Sequence, residues 1–473
     1  MTLLAAVVLM FAIGGASQDQ TFKVGSDSKQ APVRESQPQN AEKSLGWGSN
    51  IQNARLAHAA EEAIRNRNYA AAADYAQRAA QSAPNDPHMW FLLGYAARLA
   101  GRTPLSVDAY NQGLRLSPSS AEGMSGLAQT YKVMGKRDEA ESLLNRVLAA
   151  DPRRADDWLI LGELLLQSGD YEKALSPLLR AEQLRPEARS ELLLALDHQR
   201  LEHFQEASRY LEMAKHNAPN NPEVLRSLAG FYRDTGNYQA AIAALKSIRG
   251  GGPDLKAELA YTYQLAGKQE EAAKLYAQAA EAAPRDLNLQ LSAAQAQVSV
   301  GAMDSAENFL KRAERLNADY YRLHAVRGEV ARIEERNQDA AHEYDAALRS
   351  LPEAPPEGPL YKIHLRMNLV DLDKRLHADS VAQEQLRLAQ SEISSLDVQG
   401  KRREDFLRLR ALVKLHAGET DSALADIKEA LALNPKDPNA LQLNGDVLAK
   451  MGRSEDAIEV YKKVLAVDPV NRL

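Results

Sequence analysis

The 473-residue sequence contains no cysteine. Disulfides, thiolate zinc sites, cysteine nucleophiles, iron–sulfur clusters and cysteine-linked lipids are therefore excluded. Aromatic residues make up only 6% of the chain, which gives strands little support. A basic run is also missing. The 58 Lys and Arg face 64 Asp and Glu, a net charge of −6. Phosphate backbones need clustered cations, so nucleic acid is not an expected partner.

Catalytic constellations are equally scarce. The ten histidines are scattered. His342-Glu343 opens a zinc-protease-like motif, but the second ligand position, 346, is Ala. His198 and His203 are five apart, off a single helical face for chelation. Gly250-Gly251-Gly252 lacks the Lys-Ser/Thr of a phosphate cradle and reads as a helix stop. Glu61-Glu62, Glu270-Glu271 and Glu334-Glu335 are adjacent carboxylates that solvate helix surfaces, not acid–base pairs. The expectation is a non-enzyme with no catalytic residue, metal or cofactor.

What is present begins with a 45% hydrophobic fraction that leans on Ala and Leu, the best helix formers. Leu3 to Ala16 is an unbroken apolar or small-residue run ending in Gly14-Gly15-Ala16-Ser17. Its 14 residues fall short of the roughly 20 that span a bilayer. They match the apolar region and small-residue cleavage site of a signal peptide, although Met1-Thr2 carries no Lys or Arg. Residues 1–17 are read as a signal peptide or short membrane anchor. Residues 18–52, rich in Ser, Gln, Asp and Lys, are read as a flexible polar linker. The chain is expected to be exported to a bacterial periplasm or cell envelope.

From about Asn53 the sequence repeats itself. Prolines 84, 118, 152, 186, 219, 253 and 284 close successive units at intervals of 34, 34, 34, 33, 34 and 31. The series resumes at Pro352, Pro435 and Pro469, with Ala318 at the expected stop between Pro284 and Pro352. A fixed period in this range means a solenoid. One unit carries Trp90, Leu93-Gly94, Tyr110 and Pro118. Another carries Trp158, Leu161-Gly162, Ala174, Ala181 and Pro186. A third carries Leu441, Gly445, Ala457, Tyr461 and Pro469. Two apolar stripes at helical spacing flank a break such as Met134-Gly135-Lys136 or Ser168-Gly169-Asp170, so each unit is a helical hairpin. Small residues sit where the helices touch, and the closing Pro ends the second helix.

These residues resemble the tetratricopeptide repeat (TPR) family across most of 53–469. The resemblance implies an all-α solenoid, a right-handed superhelix of about eleven to twelve hairpins. Its concave groove, lined mainly by the first helix of each pair, would bind peptides or proteins. Residues 53–352 are read as a TPR array of about nine repeats. Residues 353–403 are read as a Pro-rich linker and a degenerate, longer repeat, and 404–473 as two further repeats.

By spacing from the small residue of each first helix, the groove positions are Phe91, Tyr95, Arg98, Gln129, Lys132, Glu163, Arg226, Arg233, Tyr261, Gln264, Gln295, Glu329 and Arg332. Aromatics and arginines are common interface anchors. The Lys/Asn/Arg clamp with which some TPR proteins hold a terminal carboxylate is not reproduced. The last helix, about Ser454–Asp468, keeps a stripe as wide as interior helices, which points to self-association or a partner at that edge. Function therefore reads as a protein-binding envelope scaffold. The alternative is a TPR subunit of a polysaccharide synthesis or export system.

Overall fold

The structure, a computed structural model, describes residues 47–467. The expected signal peptide and nearly all of the polar linker lie outside these residues, as do 468–473. The described residues form 24 α-helices and one short 3-10 turn, with no strand. None of these helices is long and apolar enough to cross a membrane.

The chain divides into two compact units, with the boundary between Thr235 and Gly236. The first holds the hairpins α1 (Trp47–Arg65) with α2 (Tyr69–Ser82), α3 (Pro87–Leu99) with α4 (Thr103–Leu116), and α5 (Ala121–Val133) with α6 (Arg137–Ala150). It continues with α7 (Ala155–Gln167) and α8 (Tyr171–Leu184), α9 (Ala188–Arg200) and α10 (Phe204–Asn217), and ends with α11 (Pro222–Asp234). The second begins with α12 (Tyr238–Ser247), followed by α13 (Pro253–Leu265) with α14 (Gln269–Ala282), α15 (Leu287–Ser299) with α16 (Met303–Leu316), and α17 (Tyr321–Ile333) with α18 (Asn337–Arg349). The pairs α19 (Leu360–Arg375) and α20 (Asp379–Ser394), α21 (Arg403–His416) and α22 (Thr420–Leu433), and α23 (Pro438–Lys450) and α24 (Ser454–Val467) complete it.

Hairpin packing explains the small-residue pattern. A Cβ added to Gly94 on α3 would lie 2.7 Å from the Tyr110 ring on α4. Gly162 meets Leu178 in the same way, and Gly445 meets Tyr461. Ala140, Ala174, Ala207, Ala306 and Ala340, each near the start of a second helix, are completely buried. In α4 that place is taken by Ser106, whose hydroxyl donates 2.7 Å to the Gly94 carbonyl. A buried hydroxyl needs such a partner.

Two hairpins are tied to the preceding loop by a Trp six residues after a proline. The Trp90 indole donates 2.9 Å to the Pro84 carbonyl, and Trp158 does the same to Pro152. The residue before each such proline has left the helical region: Ala83 has φ −131° and Asp151 φ −140°. Asn317 adopts φ −159° without a following proline, so the stop at Ala318 holds. Pro253 is a correction. It stands in the first turn of α13 rather than closing a second helix, because α12 already ends at Ser247. A proline without an N–H is favourable there. The Gly250–Gly252 stretch is the loop between the two helices, with Gly250 at φ 74°.

The loop 350–359 is not merely an extended linker. Gly358, at φ 88°, donates to the Pro355 carbonyl, and a Cβ there would strike the Arg402 guanidinium. Glu357 beside it has its side chain buried to 7% exposure. α19 and α20 are 16 residues each, longer than every other described helix except the 19-residue α1.

Within the first unit, each first helix also packs on the next: α1 on α3, α3 on α5, α5 on α7, α7 on α9 and α9 on α11. In the second unit α15 packs on α17, α19 on α21 and α21 on α23. Second helices are not drawn together in this way. The first helices of each unit therefore share one face. Neither α13 with α15 nor α17 with α19 closes in this way.

Candidate functional site

Two of the expected groove residues belong to the core instead. Phe91 is 1% exposed and stacks on Tyr110, filling the space that the absent side chains of Gly113 and Gly123 leave open. Tyr95 is buried in the same cluster with Leu127, and the Arg98 guanidinium lies 5.3 Å from its ring. Spacing along α3 could not separate its face toward α4 and α5 from its open face, because the helix is apolar on nearly every side.

The remaining first-unit residues keep access to solvent. Arg98, Gln129, Lys132, Glu163 and Arg233 are half-buried and Arg226 is exposed. Lys132 on α5 and Glu163 on α7 meet at 2.8 Å, and Arg189 on α9 reaches the same Glu163 oxygen at 2.9 Å. Burial alone would raise the Glu163 carboxyl, but Lys132 and Arg189 outweigh it and hold the group below its usual range. Arg189 was missed, although it belongs to the next first helix. Deeper in, Asp157 accepts from Ser125 and Arg154, a second link between α5 and α7.

In the second unit, Tyr261 and Gln264 on α13 are half-buried, as are Gln295 on α15 and Arg332 on α17. Glu329 is buried to 7% exposure and pairs loosely with Arg332 at 3.9 Å. Burial pushes the Glu329 carboxyl up, against the pull of Arg332. Gln295 and Glu329 line a cleft together with Arg322, Ala325, Val326, Tyr344, Tyr361 and Leu365. Arg322 stands two helical turns before Glu329, so the face that named Glu329 also carried the missed arginine. Tyr344 and Tyr361 come from α18 and α19, and no single-helix spacing joins them to the cleft.

Three other acids or bases stand out. Asp197 is fully buried with neither oxygen hydrogen-bonded, and burial, reinforced by Glu172, pushes its carboxyl up to about 7. Burial and the neighbouring Asp437 push Glu404 up to about 7 as well. His198 is lowered, by burial first and His203 second. His198 lies on α9 and His203 caps α10, so the two share no helical face, yet their Nδ1 atoms lie 3.4 Å apart, because Glu202 at φ 61° turns the chain back at the end of α9. Among the described residues no group of three or more His, Asp or Glu could hold a metal ion.

At the other end of the second unit, Ile458 and Leu465 of α24 are exposed while Val464 is buried.

Profiles of the tetratricopeptide repeat match residues 59–121, 126–189 and 192–255, and again 414–473, more than half of the chain. The chain belongs to the tetratricopeptide repeat family. A TPR array is a protein-interaction fold, and the shared face of first helices is where this one presents side chains from successive repeats. The chain is 25% identical over 451 residues to cellulose synthase operon protein C of Xanthomonas axonopodis pv. citri, covering 88% of this chain and 27% of that one. It is 26% identical over 161 residues to the human protein O-mannosyl-transferase TMTC1, covering 33% of this chain and 18% of that one. Thus it spans about a quarter or less of the length of these relatives. A tetratricopeptide repeat protein from Parabacteroides merdae is a structural neighbour at 15% identity and TM-score 0.41, covering 52% of this chain and 99% of the other.

Proposed function

We propose that this TPR chain is a non-catalytic scaffold of a bacterial cell envelope, binding a partner peptide or protein on the face formed by its first helices. The observation that carries the proposal is the packing of first helix on first helix inside each unit. That packing sets polar and charged side chains from successive repeats side by side, where an extended partner would meet them in turn. Export rests on the apolar run Leu3 to Ala16.

The test is crosslinking of the tagged full-length protein in its native host, beside an Arg226→Ala/Arg233→Ala variant. A partner held by the wild type and lost by the variant supports the reading. Equal recovery from both sinks the assignment of those two arginines. Fractionation that finds the full-length protein only in the cytosol would overturn the envelope assignment.

A second reading is a subunit for polysaccharide synthesis or export, favoured by the likeness to the cellulose synthase operon protein over 88% of this chain. Retention of the protein on immobilised cellulose or a host glycan, or capture of glycan-synthesis components alone, would promote it.

A further inference from the structure

One connection in the second unit is built unlike the others. Residues 350–359 join α18 to α19 and form the longest link between described helices. Pro352, Glu353, Ala354, Pro356 and Pro359 on it are exposed, but the Glu357 side chain is driven inward to 7% exposure. The Tyr321 hydroxyl donates 2.8 Å to one carboxylate oxygen, and Arg322 Nε faces the other at 3.4 Å. Arg322 in turn donates 3.2 Å to Asn288 on α15. From the other side, Arg402 donates 2.8 Å to the Glu357 main-chain carbonyl. Arg402 belongs to the 3-10 turn Gly400–Arg402 that leads into α21. Its guanidinium takes the place where a Cβ at Gly358 would stand, so a glycine is needed for the arm to pass. One loop residue therefore ties α15 and α17 to the start of α21, across a joint where α17 and α19 do not close on each other.

We propose that this loop is a releasable strap with Glu357 as its catch, and that seating or lifting it switches the α17–α19 joint between a locked and a hinged state. The charge makes the device two-state. Arg322 is 5% exposed and is paired with Glu357. An arginine cannot shed its proton, so the guanidinium stays buried while a carboxylate is beside it and must be rehydrated when that carboxylate leaves. Arg322 borders the space between the two helices together with Tyr361 and Leu365, so lifting Glu357 draws water into the joint. A half-lifted strap would leave a buried, unpaired charge, which disfavours intermediate positions. The catch is also incompletely bonded. Arg322 Nη2 is buried without an acceptor and recovers its missing hydrogen bond in water on release. Prolines 352, 355, 356 and 359 restrict the strap's own backbone, so it moves as one stiff piece. The hinge that remains is α18 packed on α19, where Tyr344 and Ala347 share a core with Leu365 and Leu369. Opening would change how the first-helix face is presented on either side of the joint. The inference does not depend on what that face binds.

The chain has no cysteine, so spin labels can be placed at Lys311→Cys on α16 and Lys428→Cys on α22, both exposed and on opposite sides of the joint. The distance between them is measured by pulsed electron resonance in the full-length protein, alone and with Glu357→Gln or Arg402→Gln added. Hydrogen exchange is followed in the same proteins without labels. Glu357→Gln keeps the shape of the catch and removes its charge. Arg402→Gln cuts the main-chain tie and leaves both members of the buried pair in place, so it stands as the second variant if the first melts. The expected result is one narrow distance with the strap intact and a broadened or second distance in either variant. Exchange over residues 351–362 should be about tenfold or more faster, with α13 to α16 and α22 to α24 unchanged. A narrow distance that survives both substitutions would overturn the strap. Faster exchange spread evenly over the second unit would also overturn it, by making Glu357 an ordinary stabilising contact. So would a distance that is broad from the start and that neither substitution moves, because the joint would then never be locked.

Discussion

At the scale of single residues, the solenoid is governed by where a side chain has no room. Gly94 and Gly126 both face the Tyr110 ring. Gly94→Ala should cost about 1–3 kcal/mol through overpacking, measured as a lowered midpoint in urea. Ala174, fully buried against α7, has no room for a larger group, so Ala174→Trp should cost at least as much. The opposite case sits in the hairpin turns. Most use glycine in the left-handed region, such as Gly135 at φ 72°, but Glu335 adopts φ 59° with a side chain. Glu335→Gly should raise stability by up to about 1 kcal/mol, since relief of the left-handed strain exceeds the added chain entropy. An unchanged or lower midpoint would contradict that account.

At the scale of elements, the packing of helices decides which charges are protected. Asp197 is carried on α9 among neighbours that give its carboxyl no partner, and its pKa rises from 3.8 to about 7. A carboxyl raised in the folded state favours folding below its unfolded pKa, and that contribution disappears as pH rises through the folded value. The first unit should therefore lose stability between about pH 4 and pH 8 through this group. Asp197→Asn should remove that slope, gaining on the order of 1–3 kcal/mol at pH 8 and little at pH 4. Thermal melts of both proteins across the range check it. The Lys132–Glu163–Arg189 link behaves oppositely. Glu163 is lowered in the fold, so its contribution is present above the unfolded pKa and is lost as pH falls through the folded one.

At the scale of the whole molecule, each hairpin buries its faces only on its neighbours, so damage should stay regional. Hydrogen exchange on Ala174→Trp should show faster exchange around α7 and α8, with residues of α21 to α24 unchanged. Uniform acceleration through residue 467 would show a cooperativity wider than nearest-neighbour packing.

Helical period, hairpin construction and small-residue contacts were legible in the sequence because they are local: a glycine four residues after a tryptophan, and a small residue twelve after that glycine (Ala174 after Gly162, Ser106 after Gly94), state a packing rule within one repeat. Pro253 misled because a proline looks the same whether it ends one helix or begins the next. Side-chain roles on the shared face were legible only in part. Tyr95 and Glu163 each follow the glycine of their first helix, yet one is buried beside Leu127 and the other bonds α5 to α9. The cleft was legible only in part: Gln295 and Glu329 were named, but Tyr344 and Tyr361 come from two further helices that no single-helix spacing joins to them. The sequence by itself determined the repeat, because its contacts span a few dozen residues. Only the tertiary structure decided which donors stay unsatisfied, because that depends on what neighbouring repeats leave open.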